Sequence, residues 1–517
     1  MDDSSDAGRR TFLRRGALLA LGATAFATSG CRELQVRARE LTAPTPADWT
    51  PPPVAGAARA LHILNRAAFG PRPGDVARVA RMGASAYLEE QLADRMDEDP
   101  AVGWRVGALD ILQTEQDAPD ALTSMPDSQL LTETAQAALL RAVYSRHQLR
   151  EVMADFWTNH FNIYALKNNG RELIPVDAER VLRPHLLGRF HDLLTASAHS
   201  PAMLAYLDNN QNRRGAADNV NENYARELLE LHTLGVKSGY TQRDIHEVAR
   251  CFTGWTVAEG FKKGQYAYDP TRHDEGEKFI PFLNLRIRPK GGQRDADTVL
   301  EALCAHPATA RFVARKLCQR FLGQAPESTV EAAATAYLRN GSDIRSTLRP
   351  ILLDALCAPD GSAPLIKRPL DLMVSALRAL AADTDGGADL QRRLSDMGQP
   401  LYEWPMPDGF PEKTAAWSGA LLPRWNFALD LASNAISGTS LDLEAPLRAA
   451  KAHTDDRIVS ALAETVYGLP HDDPALQGVC ARVQDHVERA RRDNVPQPTL
   501  LAETTALLLA APPFQWK

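Results

Sequence analysis

The chain has 517 residues, of which 44% are hydrophobic and 24% charged, enough for a large core and ordinary for a globular protein. A formal net charge of -7 gives no general attraction to nucleic acid, so no nucleic-acid partner is expected. Six cysteines lie far apart without a C-x-x-C pair, which excludes zinc-ribbon and thioredoxin-type sites; Cys251, Cys304, Cys318, Cys357 and Cys480 are read as buried small hydrophobes, with one disulfide left open.

Residues 1–31 read as an address. Arg9 and Arg10 precede a short Gly- and Ala-rich apolar run, and this resembles a twin-arginine export signal read by the twin-arginine translocase. The run of about fifteen residues is short for a membrane span. It ends at Thr28-Ser29-Gly30-Cys31, which resembles a lipoprotein processing box, with Thr28 where such boxes usually carry Leu. The expected protein is therefore exported, periplasmic or extracytoplasmic, and held at a membrane through lipidated Cys31. Residues 32–56 contain five prolines and form a spacer of about 3 Å per residue.

From Ala57 the spacing of apolar residues three and four apart predicts an all-α protein: a main helical domain over 57–439 and a C-terminal helical subdomain over 440–517. The stretch 254–292, with aromatic and β-branched residues at QYAYD and KFIPF, is expected to be an irregular or β-hairpin insertion. A second irregular stretch, DMGQPLYEWPMPDGFPEKTAAW, is either the cover of a cleft or a connector capping the bundle.

Tyr206 to Trp255 is the densest in reactive and hydrogen-bonding groups. Asp208-Asn209-Asn210-Gln211-Asn212 resembles the start of a calcium loop, but Arg213 and Asn219 stand at its glycine and bidentate-glutamate positions, so an EF-hand is excluded while another oxygen-ligand site at Asp208 stays open. A regular helix is expected from Glu222 to Leu234, capped by Gly235, with His232 facing inward and Glu222, Arg226 and Glu230 outward. On α-helical geometry Glu227 lies about 140° from His232, which excludes a ferritin-type pair. A second helix begins at Thr241 with Asp244 completing a capping box, and Arg250 replaces the second histidine that a zinc-protease motif at His246 needs. Upstream, His160 sits between Asn159 and Asn162 at a helix end rich in Phe and Trp.

Asn65 to Gly70, WTNHFN at Trp157 to Asn162, RPHLLGRFHDLL at Arg183 to Leu194, the runs Asn221 to Gly235 and Gly239 to Trp255, HPATARFVARKL at His306 to Leu317, MGQPLYEWPMPDGFP at Met397 to Pro411 and LLLAAPPFQ at Leu507 to Gln515 together resemble the bacterial domain-of-unknown-function 1800 family. The resemblance covers essentially all of the chain after the spacer. It implies a largely helical, often exported protein whose gene frequently neighbours that of another exported family, domain of unknown function 1501, similar to the alkaline-phosphatase and sulfatase superfamily. It carries no established catalytic residues and names no cofactor.

Two functional expectations follow. One is a binding or assembly protein acting with an exported phosphatase- or sulfatase-like partner, with Asn159, Asn162, Asn209, Asn223, Arg226, Trp255 and His273 as binding candidates. The other is an envelope hydrolase, metal-dependent or not, with His160 and His232 as base or ligand and Asp208 and Glu227 as their carboxylate partners; convergence of these four side chains around a cleft is its structural requirement.

Overall fold

Ala, Leu, Arg and Glu dominate after the spacer, and these side chains lose little rotamer freedom in a helix. The computed structural model, which describes residues 56–93, 99–113, 125–168, 170–215, 220–258, 264–358 and 361–517, is accordingly built of helices with a few short antiparallel strand pairs. Arg9, Arg10, Cys31 and the spacer lie outside the described residues. Among the described residues no helix is long and apolar enough to cross a membrane.

Among the helices are α1 (Ala57–Ala67), α2 (Gln148–His160), α3 (Asn223–Glu227), α4 (Gln242–Cys251), α5 (Pro307–Leu322), α6 (Pro369–Ala379), α7 (Leu421–Ala432), α8 (Asp455–Tyr467) and α9 (Gln497–Ala510). Their ends follow local chemistry. The α4 start has the expected capping box, in which Asp244 accepts from the Thr241 backbone at 2.8 Å and from its hydroxyl at 2.6 Å. Ahead of α5, a ring nitrogen of His306 accepts the Ala308 N–H, Pro307 occupies the first turn, and Gly323 at φ 72° closes the helix in the left-handed conformation.

The helix carrying His232 departs from the regular α-helix expected of it. It is α-helical over Asn223–Glu227 and then widens into a π-helix over Leu228–Thr233. Thr233 supplies a local reason, since its hydroxyl donates to the Leu228 carbonyl five residues back at 2.6 Å, and the Leu234 and Gly235 amides both reach the Leu229 carbonyl. Side-chain angles drawn at 100° per residue therefore do not hold past Leu228.

The insertion expected over 254–292 is two hairpins, β1 (Trp255–Val257) with β2 (Tyr266–Tyr268) and β3 (Lys278–Ile280) with β4 (Leu285–Ile287). A two-residue pair, β5 (Asp383–Thr384) with β6 (Thr439–Ser440), joins segments distant in sequence. The final residues are tied back by reciprocal backbone bonds between Leu365 and Lys517.

One apolar core runs from Ala60 to Phe514. Several buried charges lie within it in pairs: Asp371 holds Arg320, Arg368 and Lys517, and Asp155 holds Arg320 and Arg368. The five cysteines among the described residues are all free, and burial raises their thiol pKa values.

Candidate functional site: the His160, His232 and Lys316 cluster

The apolar stripe of α2, Leu149, Val152, Met153, Phe156 and Trp157, continues one turn later into His160, so the helix that packs those residues into the core carries the imidazole in with them. His160 is 2% exposed and ringed by Trp157, Phe161, Phe190 and Phe312, with centroids 4.6 to 6.3 Å away. His232 is 1% exposed, and its ring centroid lies 6.1 Å from that of His160. The structure thus brings together the two histidines that the sequence proposes.

Their hydrogen bonds fix a tautomer. His160 Nε2 lies 3.1 Å from the His232 backbone carbonyl, which can only accept, so Nε2 carries the proton and Nδ1 the lone pair. That lone pair accepts from Lys316 Nζ at 3.0 Å. The His232 carbonyl is free to accept because it belongs to the last turn of its helix, where intrahelical partners run out. His232 Nε2 has no hydrogen-bond partner among the described residues.

Electrostatics hold both rings neutral. Burial and then the Lys316 charge lower His232 to about 3, and burial, Lys316 and His232 together take His160 well below its ordinary range. Lys316 is half-buried; desolvation lowers its amine to about 8, opposed by the charges of Glu412 and Asp408. Of the three residues the lysine is the least buried, and its lowered pKa brings the unprotonated amine closer to neutral pH. Sequence reading passed over Lys316. The signal was present in FVARKLCQRF, where Lys316 falls three residues after buried Val313 and four before buried Arg320.

The proposed carboxylate partners make other contacts. Asp208, at φ 60°, accepts from Lys167 Nζ at 3.0 Å and from the Asn223 amide at 3.3 Å. Glu227 is half-buried beside Tyr206 and Asp408, with its pKa raised by burial and then by Glu230. Neither bonds to an imidazole; the partner of His160 is an amine. Among the described residues no group of three or more His, Cys, Asp and Glu side chains is placed to hold a metal ion.

The amide candidates are committed to the chain itself. Asn159 brackets Phe410, accepting its N–H at 2.6 Å and donating to its carbonyl at 2.9 Å, while Asn162 donates to the Trp404 and Met406 carbonyls. These bonds lay the Pro- and aromatic-rich segment against the end of α2. Asn209 donates to the carbonyls of Phe252 and Trp255, and Asn212, not anticipated, is fully buried and donates to Ala249. Asn223 serves Asp208, and Arg226 pairs with Glu222 and Glu230. Trp255 is fully buried against His199, Phe252 and Tyr266. His273 is fully buried too, in contact with Thr253 and Asp295, and Asp295 also takes Lys278 at 2.6 Å.

A family model described as a protein of unknown function, DUF1800, matches residues 62–516, nearly the whole chain. The chain belongs to the DUF1800 family. No curated protein and no solved structure matches it. In this DUF1800 chain the motif blocks that suggested the family are also those that build the cluster: WTNHFN supplies His160, the Asn221 to Gly235 run supplies His232, and HPATARFVARKL supplies Lys316.

Proposed function

We propose that this chain is an exported, lipid-tethered protein of the cell envelope that works by binding, assembling with an exported partner of the phosphatase and sulfatase type through the outer face of α7. The address at Arg9, Arg10 and Cys31 and the spacer behind it support the location. The observation that carries the binding role is α7 itself. Arg424, Phe427, Ala428 and Leu431 are buried, yet Leu421, Leu422, Trp425 and Leu429 stand 47%, 65%, 48% and 48% exposed. Positions 421, 425 and 429 are spaced four apart, so they form one stripe, with Leu422 beside it. A helix apolar on both faces belongs in an interior, and a stripe of this size around a Trp has the composition of an interface anchor.

A photo-crosslinking amino acid at position 425 tests this in cells that produce the exported phosphatase-like neighbour. A covalent adduct with that neighbour, absent when the crosslinker sits at exposed Leu338 on another helix, is the expected result. Equal labelling from both positions, or none from 425, contradicts it.

A second reading, an envelope hydrolase acting on an ester or polymer, keeps the His160 region but changes its roles. The bond from Lys316 to His160 favours it: unprotonated Lys316 is the base that takes a proton from the water attacking the ester carbon, and neutral His160 holds it in place by accepting a hydrogen bond from its Nζ. Loss of ester hydrolysis in Lys316→Met, with the fold intact by circular dichroism, tests that reading; an unchanged rate removes it.

A further inference from the structure

Away from the histidine cluster, a cavity of about 270 Å³ opens between α1, α6, α8 and the C-terminal segment. Leu469, Phe514 and Trp516 are among its walls, which are largely apolar, and Lys367 is the one charged residue among the described residues that line it. Lys367 is 4% exposed. Its Nζ donates to Ser375 Oγ at 3.1 Å and stands 3.8 Å from the centre of the Phe514 ring. Ser375 Oγ in turn donates to the Leu372 carbonyl, so the hydroxyl brings no negative charge.

No carboxylate forms an ion pair with Lys367 among the described residues. The nearest acid that acts on it, Asp371, is already held by Arg320, Arg368 and Lys517. Arg424 donates to the Lys367 backbone carbonyl, which adds a further cation to this side of the core. A buried ammonium without a counterion is costly to fold around, and burial pulls the Lys367 amine down to about 7. Its position at an apolar cavity is what an anionic headgroup with a hydrocarbon body requires: the charge completes the ion pair and the body fills the walls.

We propose that this cavity binds a small amphiphilic monocarboxylate, its carboxylate accepting from Lys367 Nζ and its hydrocarbon lying between Leu469, Phe514 and Trp516. The site is separate from the α7 face and from the His160 cluster, so it stands or falls independently of both.

Calorimetric titration of the full chain with octanoate, and with octanol as the uncharged probe of the same length, is the test. The expected result is saturable, one-to-one octanoate binding that is at least about tenfold tighter than octanol binding, as a charge-assisted hydrogen bond gives. Lys367→Met should erase that preference while leaving octanol binding intact. Ala379→Phe, which fills the cavity from α6 and keeps the lysine, should abolish both, with folding of each variant checked by circular dichroism. Absence of octanoate binding, equal affinity for the two probes, or octanoate binding that persists in Ala379→Phe overturns the proposal. Should Lys367→Met fail to fold, the probe comparison and the Ala379→Phe result decide between the two outcomes.

Discussion

His160 donates its Nε2 proton to the backbone carbonyl of His232 at 3.1 Å, so the two imidazoles are joined through a main-chain atom and not ring to ring. His232 is left with an unpartnered Nε2 in an apolar site, held neutral with a pKa of about 3 against an ordinary 6.5. Between pH 6.5 and 3 the unfolded chain binds a proton at this residue and the folded chain does not. The stability tied to His232 is therefore complete above pH 6.5 and is lost as pH falls toward 3. His232→Phe removes both the orphaned nitrogen and this linkage. It is expected to change stability at pH 7 by less than about 1 kcal/mol and to reduce the loss of stability between pH 7 and 4.5. Urea midpoints of the two proteins at those pH values check it; parallel losses in both contradict it.

The Lys316 amine, lowered to about 8 by burial, should acylate with a pH midpoint about two units below that of ordinary exposed lysines. Acetylation footprinting by mass spectrometry between pH 6 and 11 reads this directly. A Lys316 profile that rises together with the exposed lysines contradicts it.

Asp295 and Lys278 form a fully buried pair beside His273. Lys278→Met takes the ammonium from a buried carboxylate and leaves His273 as its side-chain partner, and is expected to cost about 3–5 kcal/mol in chemical denaturation. Adding Asp295→Leu removes the carboxylate and should recover much of that loss. A single variant within 1 kcal/mol of the parent shows that the pair is not carrying this part of the fold.

Asn159 and Asn162 pin the segment from Trp404 to Phe410 to the end of α2. Replacing either by Ala leaves backbone groups of that segment unpaired, at about 1–3 kcal/mol each. Hydrogen exchange should speed up over 402–413 while the rings of Phe156 and Trp157 stay packed. Unchanged exchange there contradicts the assigned role.

Much of the architecture was legible because it rests on local chemistry. The capping box at Thr241, the left-handed cap at Gly235 (φ 85°) and the inward stripe of α2 are set by residues within one or two turns. The hairpins at 255–287 announced themselves through aromatic and β-branched residues between Gly, Pro and Asp. What escaped depends on contacts far apart in sequence. Lys316 meets His160 from 156 residues away, and Asn159 meets Phe410 across 251, so their periodicity identified a face without naming what it would touch. The π-helix at Leu228–Thr233 escaped for another reason: a single Thr hydroxyl bonding five residues back leaves the apolar spacing close to that of an α-helix. Asn, Asp and His in a loop read as binding groups, and here most of them satisfy buried backbone, because a buried irregular segment has nothing else to pair with.

The α7 face remains the centre of the functional account, and charge on that face tests it most directly. Leu422 and Trp425 point outward, so replacing both with Glu should leave the fold unchanged. The decisive measurement is the Kd for the proposed partner, a purified exported phosphatase-like protein, by calorimetry, of the parent chain and of the Leu422→Glu, Trp425→Glu variant. Saturable binding by the parent that weakens at least about a hundredfold in the variant is expected, from the loss of an aromatic anchor and its apolar neighbour. Equal affinities, or no binding by the parent, would contradict it.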